Sequence, residues 1–304
     1  MIHVIGAGSL GLLWAARLAR AGNSCRVVLR NSEALDTWQA RNQVVRLTDG
    51  SHQSDIQIPA ELPSSSDPIK TLIVATKAYS AEEAVASIAH RLNNNSRILL
   101  LQNGMGSQQA VRRRYPEQSV LYASVTEGAW TPGPGQVVWA GRGTNRIGDP
   151  AGGGAPDWLR GLDEAGITWQ WTLDIERTLW QKLAINCAIN PLTVLHDCPN
   201  GDIRRHAASR LDLLIRELHE LLSRYDASAD PETLRRTILQ VIANTAANTS
   251  SMRQDMQAGR RTEIDFILGY AVRQARSASL QLSTLEGLYA DLSDRLISLG
   301  LPAD

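Results

Sequence analysis

The sequence predicts an α/β chain in two regions: strands alternating with helices over residues 1–173, then helices alone over residues 174–304. Three observations carry this. A buried strand at the start runs straight into a G-x-G-x-x-G turn and an amphipathic helix. Short apolar strands then recur between helical stretches, the mark of a parallel sheet with right-handed crossovers. From Asp174 onward, apolar residues keep helical spacing almost without a break.

Taken in order, Met1-Ile2-His3-Val4-Ile5 reads as a strand, and Gly6-Ala7-Gly8-Ser9-Leu10-Gly11 follows at once. Residues 12–20 read as a helix, Ala21-Gly22-Asn23 as a turn, and residues 24–30 as a second strand. That is the full strand–turn–helix–strand context that gives the glycine motif its meaning. The glycines close the turn, admit a pyrophosphate to the backbone and pack helix on strand. The helix N-terminus then offers free N–H groups to phosphate. The first region is therefore expected to be a Rossmann-type dinucleotide-binding domain. The end of the second strand selects the cofactor, an acid favouring NAD and a cation NADP. Here it is Arg30, followed by Asn31 and Ser32, so NADP(H) is expected; Glu33 is a nearby acid but falls within the next helix.

Residues 44–47 and 56–58 read as short strands about a turn at Asp49-Gly50. A buried strand over 71–75 leads into Thr76-Lys77-Ala78, a helix spans 81–92, and a strand over 97–101 leads into Gln102-Asn103-Gly104-Met105-Gly106. Ligands on such sheets bind beyond the carboxyl ends of the strands, where Lys77 and Asn103 stand; Asn103-Gly104 is equally an ordinary turn pair. Strands over 120–125, 136–140 and 145–147, joined by Pro/Gly-rich turns, are expected to extend the sheet in antiparallel fashion. A helix over 156–165 and a strand over 168–171 close the domain.

Within the helical region a single stretch stands out. Trp180, Leu183, Ala184, Ile185, Cys187, Ala188 and Ile189 point all round a helix axis, the pattern of a buried helix. Lys182, Asn186 and Asn190 form one polar line along it, since steps of four residues drift by only about 40°. A lysine and two amides inside an apolar helix are costly unless protein groups or a polar ligand satisfy them. Helices are also expected over 203–224, from Asp230-Pro231 to about 248, near 262–277 and over 283–298. Asn248-Thr249-Ser250-Ser251-Met252 reads as an inter-helix loop or as a segment of a site. Thr262 suits a helix cap and Glu263 a first-turn acid.

Bulk composition narrows the function class. With 31 basic and 31 acidic residues, no long-range field draws in nucleic acid or an anionic membrane. Three cysteines are too few for a disulfide framework, and no Cys/His spacing suggests zinc or another metal site. No apolar run approaches a membrane span and the first strand leaves no room for a signal peptide. A soluble protein of the reducing cytoplasm is expected, acting on a small molecule, as a monomer or a homodimer.

Several islands together resemble one family, ketopantoate reductase (2-dehydropantoate 2-reductase), over essentially the whole chain. They are the glycine motif, Thr76-Lys77-Ala78, Gln102 to Gly106, the run from Trp180 to Gly201, Asn248 to Met252, and Arg261-Thr262-Glu263-Ile264-Asp265. The resemblance implies that Lys182 donates a proton to a ketone. It implies that Lys182, Asn103, Asn186, Asn190, Asn200, Asn248, Thr249, Ser250 and Ser251 bind the substrate, with Ser251 suited to its carboxylate. It implies NADPH contacts from Lys77, Asn103, Ala129 and Glu263, beside residues 6–11 and Arg30. The implied reaction is NADPH-dependent reduction of 2-dehydropantoate to (R)-pantoate, toward pantothenate and coenzyme A, with the substrate expected in a cleft between the domains. Rival readings are a reductase of another branched 2-oxo acid or an imine, and a non-catalytic dinucleotide-binding protein. The sequence departs from the family pattern at Ser279 and Ser283-Thr284-Leu285, which stand where a glycine and a Pro-x-Asn are usual.

Overall fold

The computed structural model describes residues 1–304. The chain forms two compact units, Met1–Gln102 with Ser107–Glu176, and Asn103–Gly106 with Arg177–Asp304. The chain passes from the first unit to the second after Glu176. The helix that carries the chain onward starts at Ile175, a wholly buried residue that fits against side-chain-free Gly148. Four residues of the earlier chain, Asn103–Gly106, belong to the second unit.

In chain order the first unit holds β1 (Ile2–Ile5), α1 (Ser9–Arg20), β2 (Cys25–Val28), α2 (Ser32–Gln39), β3 (Val44–Asp49), β4 (His52–Gln57) and β5 (Ala60–Glu61). Then come β6 (Thr71–Val74), α3 (Ala81–Ser87), β7 (Arg97–Leu100), α4 (Ser107–Arg114), β8 (Ser119–Ser124), β9 (Gly128–Trp130), β10 (Gln136–Gly141), β11 (Asn145–Gly148), α5 (Arg160–Glu164) and β12 (Trp169–Trp171). Eight strands form one sheet in the order β12-β11-β8-β7-β6-β1-β2-β5. Its centre is parallel, with β1 between β2 and β6, and β6 is buried along its whole length, as strands covered on both faces are.

The expected antiparallel extension is corrected in two ways. Strand β8 joins β7 in parallel, and only β11 turns antiparallel against β8. Strand β10 leaves the main sheet for a second one, ordered β4-β3-β10-β9. The reason lies in α1. Leu12, Leu13, Trp14, Ala15, Ala16 and Leu18 are all buried, too many directions for one sheet to cover, and the second sheet packs on the side the first leaves bare. Arg17 is buried there as well, and Glu127 holds it. Glu127 also accepts from Trp14 Nε1 at 3.0 Å and Asn145 Nδ2 at 3.2 Å, so the buried charges are paired and bonded. The helix expected over 81–92 stops at Ser87 and a 3₁₀ turn follows. Buried Arg91 then forms an ion pair with Glu61 at 2.5 Å, and Arg26 a second at 2.8 Å.

The second unit is helical: α6 (Ile175–Leu195), α7 (Ile203–Leu222), α8 (Pro231–Asn244), α9 (Ser251–Gln257), α10 (Tyr270–Ser277) and α11 (Ser283–Ser298). Helix α6 runs on through Pro191; buried Leu192 and Val194 beyond it offset the lost N–H bond. Asp230 caps α8, accepting from Thr233 N at 2.7 Å. Helix α8 ends at Asn244, short of the expected 248, and the carbonyls of Ala246 and Asn248 accept instead from the backbone of Gly201 and Asn200, each at 3.0 Å. Before α10 the chain widens into a π-turn over Asp265–Gly269.

The atypical C-terminal positions keep the turn without the usual residues. Ser279 takes the left-handed conformation at φ 56 that closes α10, with Leu280 N donating to Ala275 O at 2.9 Å. Helix α11 has no side-chain cap of its own. Glu217 of α7 supplies one, its two carboxylate oxygens accepting from Thr284 N and Leu285 N at 2.8 Å each. No helix of the chain is long and apolar enough to cross a membrane.

Candidate active site

In the first unit, β1 ends at Ile5 and the glycine turn passes against the end of β6. A β-carbon on Gly6 would stand 2.6 Å from Thr76 N, and one on Gly11 would stand 1.9 Å from Gly6 O, so neither position admits a side chain. Gly8 starts α1 without any side-chain cap. The first-turn N–H groups of the helix therefore keep their donors for a ligand. Beside them lies a cavity of about 610 Å³ whose lining includes Gly6, Ala7, Arg30, Thr76, Lys77 and one acid, Glu83. Asn31 caps α2, accepting from Ala34 N at 3.0 Å, and exposed Arg30 just before it lines the cavity. Exposed Glu33 is outside its lining. Two cations, a glycine turn and an uncapped helix start fit the phosphates of a dinucleotide.

Other expected cofactor residues stand elsewhere. Ser9 and Leu10 contribute backbone in the first turn of α1, and the Leu10 side chain packs on the apolar core. Ala129 sits on β9 opposite Trp139 and packs on that same core; it is not among the cavity residues. Asn103 and Glu263 belong to the second unit. Sequence reasoning missed Thr76, whose buried hydroxyl has no partner in the chain. Its place directly before Lys77, at the end of a buried strand, was the available signal.

In the second unit the polar line of α6 takes shape. Lys182 Nζ donates to Asn103 Oδ1 at 2.8 Å. Burial brings the amine down from 10.5 to about 8, and the nearby charge of Glu263 pulls it some of the way back. Glu263 is itself buried, just before the chain enters the π-turn segment. That turn holds the Asn103 loop. Phe266 O accepts from Met105 N at 2.8 Å, and a β-carbon on Gly104, at φ +74, would stand 2.3 Å from the same carbonyl. π-turns break the regular helical ladder and recur at functional sites. Here the turn sets the acceptor of the lysine.

Farther along α6, Asn186 is half-buried and Asn190 is 7% exposed. No hydrogen bond within the chain reaches either side-chain amide; the Asn190 bond is through its backbone carbonyl, to Thr193. Asn200 Nδ2 donates to Thr245 Oγ1 at 2.9 Å, while its Oδ1 is buried without a partner. The backbone bond from Asn200 to Asn248 ties it to the 248–251 loop. Thr249 is half-buried, its carbonyl accepting from Gln254 Nε2 at 3.0 Å. Ser250 is buried as the cap of α9, and Ser251 is exposed in the first turn. The structure thus joins Lys182, Asn103 and Glu263 in one group and links Asn190, Asn200 and the 248–251 loop in another along the same helix. Of these amides, Asn200 alone has a fully buried oxygen without a partner, and such groups are uncommon in folded chains.

Comparison with known proteins gives the family. A family model described as ketopantoate reductase PanE/ApbA matches residues 2–152, and that of the family's C-terminal portion matches residues 174–295. The chain is 32% identical to 2-dehydropantoate 2-reductase of Vibrio cholerae over 294 residues, 96% of each chain. It is 34% identical to that of Salmonella typhimurium over 282 residues, 90% of this chain and 88% of the other. A D-mandelate dehydrogenase solved with NADH and anilino(oxo)acetate shares the fold, with a TM-score of 0.90 at 20% identity over 99% of this chain and 100% of that one. The chain therefore belongs to the ketopantoate reductase family and is an oxidoreductase of the ketone/CH–OH type.

Proposed function

We propose that the protein reduces 2-dehydropantoate to (R)-pantoate with NADPH, a step toward pantothenate and coenzyme A. The observation that carries this reading is the lysine amine held by Asn103 on a helix whose next two polar residues, Asn186 and Asn190, keep their amides free of protein partners. A ketone and a carboxylate alone do not need so many polar groups. A 2-oxo acid that also carries a hydroxyl does, and Asn200 Oδ1 is an unclaimed acceptor for one. The choice of NADPH is supported by Arg30 in the lining of the cavity, with Glu33 outside it.

When bound, the reduced nicotinamide supplies the hydride. As the keto carbon takes it, negative charge gathers on the carbonyl oxygen. Protonated Lys182 stabilises that charge and gives up one proton to form the new O–H, leaving a neutral amine that solvent reprotonates. Asn103 accepts one of the three N–H bonds of the ammonium and so orients the other two. At about 8 the amine stays largely protonated near neutrality yet is a stronger acid than an exposed lysine. The amides of Asn186 and Asn190 orient substrate oxygens without adding charge. The exposed Ser251 hydroxyl suits the carboxylate, and Arg30 and Lys77 hold cofactor phosphates.

The test is NADPH oxidation with ketopantoate against hydroxyl-free acids such as 3-methyl-2-oxobutanoate and benzoylformate. The kcat/KM for ketopantoate should lead by at least about tenfold, the worth of one buried hydrogen bond to a substrate. A hydroxyl-free acid turning over as well would displace the proposed substrate. No oxidation with any 2-oxo acid would reject this substrate class.

A further inference from the structure

Past Asn190 on α6, Thr193 pairs with Ser250 through hydroxyls that the proposed reaction does not use. Thr193 is 0% exposed and Ser250 6%, and their oxygens are 2.6 Å apart. A buried hydroxyl is costly unless it is bonded, and a valine would fill the volume of Thr193 without that cost. The Thr193 hydroxyl also lies 2.7 Å from Asn190 O, and Ser250 Oγ accepts from Arg253 N at 3.2 Å.

Counting protons gives the pair a direction. Each hydroxyl has one proton to give. A carbonyl accepts and never donates, so the Thr193 proton goes to Asn190 O. The proton in the 2.6 Å contact is then that of Ser250. Ser250 has given its proton to Thr193 and received one from Arg253 N, so it has no donor left for a ligand. Exposed Ser251 keeps its own.

We propose that Thr193 is a positioning residue for 2-oxo acid binding: its hydroxyl locks the Asn190 end of α6 to the Ser250 cap of α9, and so fixes the Asn190 amide and the Ser251 hydroxyl in one frame. Ser250 belongs to this lock and does not contact the substrate. The pair sits one helical turn past Asn190, just after Pro191 has removed one backbone N–H from the ladder, where the helix most needs a second tie. This inference rests on the oxo-acid reading of the site.

Thr193→Val keeps the volume and removes both bonds; Thr193→Ser keeps the hydroxyl. In steady-state kinetics with ketopantoate and NADPH, Thr193→Val should raise the KM for the oxo acid by about tenfold or more, hold kcat within about threefold and leave the KM for NADPH unchanged. Thr193→Ser should restore the oxo-acid KM. A merely structural threonine would instead lower the active fraction, reducing kcat with both KM values intact. That result, a wild-type KM in Thr193→Val, or failure of serine to rescue would each overturn the proposal. If Thr193→Val does not fold, Ser250→Ala breaks the same bond from the other side and should show the same KM shift; an unchanged KM there overturns the proposal equally. Inactive wild type on ketopantoate is a separate outcome and rejects the substrate reading instead.

Discussion

Alkaline pH should switch the forward reaction off through one amine. Only the protonated form of Lys182 can give a proton, and burial has brought that amine to about 8. The sign follows directly: activity is present below that value and lost as pH rises through it. Near pH 7 about nine-tenths of the enzyme carries the proton and near pH 9 about one-tenth, so kcat should be level on the acid side and then fall about tenfold per pH unit. Oxidation of pantoate by NADP⁺ needs the neutral amine and should rise over the same range. Glu263 supplies the internal check, because its charge holds the amine up. An interaction of about 1–2 kcal/mol, between the limits for water and for a partly buried pair, moves the midpoint by about one pH unit. Glu263→Gln should therefore shift the descending limb to lower pH. The assay is initial rate by NADPH absorbance at saturating substrates and constant ionic strength. A limb beyond about pH 10, where an ordinary lysine titrates, would refute Lys182 as the donor. A limb that Glu263→Gln leaves in place or moves upward would refute the coupling.

Two further perturbations probe other regions of the chain. Arg30→Ala should weaken NADPH binding by about 1.5–3 kcal/mol, the range for a hydrogen bond to a charged group, and NADH hardly at all; fluorescence titration of both cofactors checks it, and equal losses would argue against a phosphate contact. Ser279→Gly should stabilise the protein by about 1 kcal/mol, since glycine takes the left-handed turn at φ 56 without steric cost. The urea midpoint should rise with unchanged slope; a lower midpoint would mean that the serine contributes more than the strain removes.

The features legible in the sequence are those that local chemistry decides. The strand, glycine turn and helix of the first thirty residues depend on neighbours a few positions apart; the helix Ser283–Ser298 matches its expected ends, although its cap comes from distant Glu217. The polar line on α6 was visible because a period of 3.6 residues places Lys182, Asn186 and Asn190 together. What was not legible depends on partners far along the chain. Nothing local tells β10 to pair with β3 in preference to the main sheet; the need to cover all sides of α1 decides it. Asn103-Gly104 read as a turn pair with an even claim to function. It resolves only when Phe266, more than 150 residues later in the chain, presents its carbonyl to the loop. Ser250 and Ser251 look equivalent as letters, yet one faces Thr193 and the other faces solvent.

The grouping of Asn103–Gly106 with the helical unit bears on how members of such a family can recombine. A chimera joined near Arg177 would import the cofactor-binding half of one relative together with that relative's version of this loop. The acceptor for the lysine would then come from one parent and the lysine and π-turn from the other. Gly104 leaves no room for a side chain against Phe266, so the graft would work only where both parents share that close fit. Exchange of whole halves is thus constrained by four residues, and a crossover that carried them with the helices would need two additional joints, at Gln102 and Ser107.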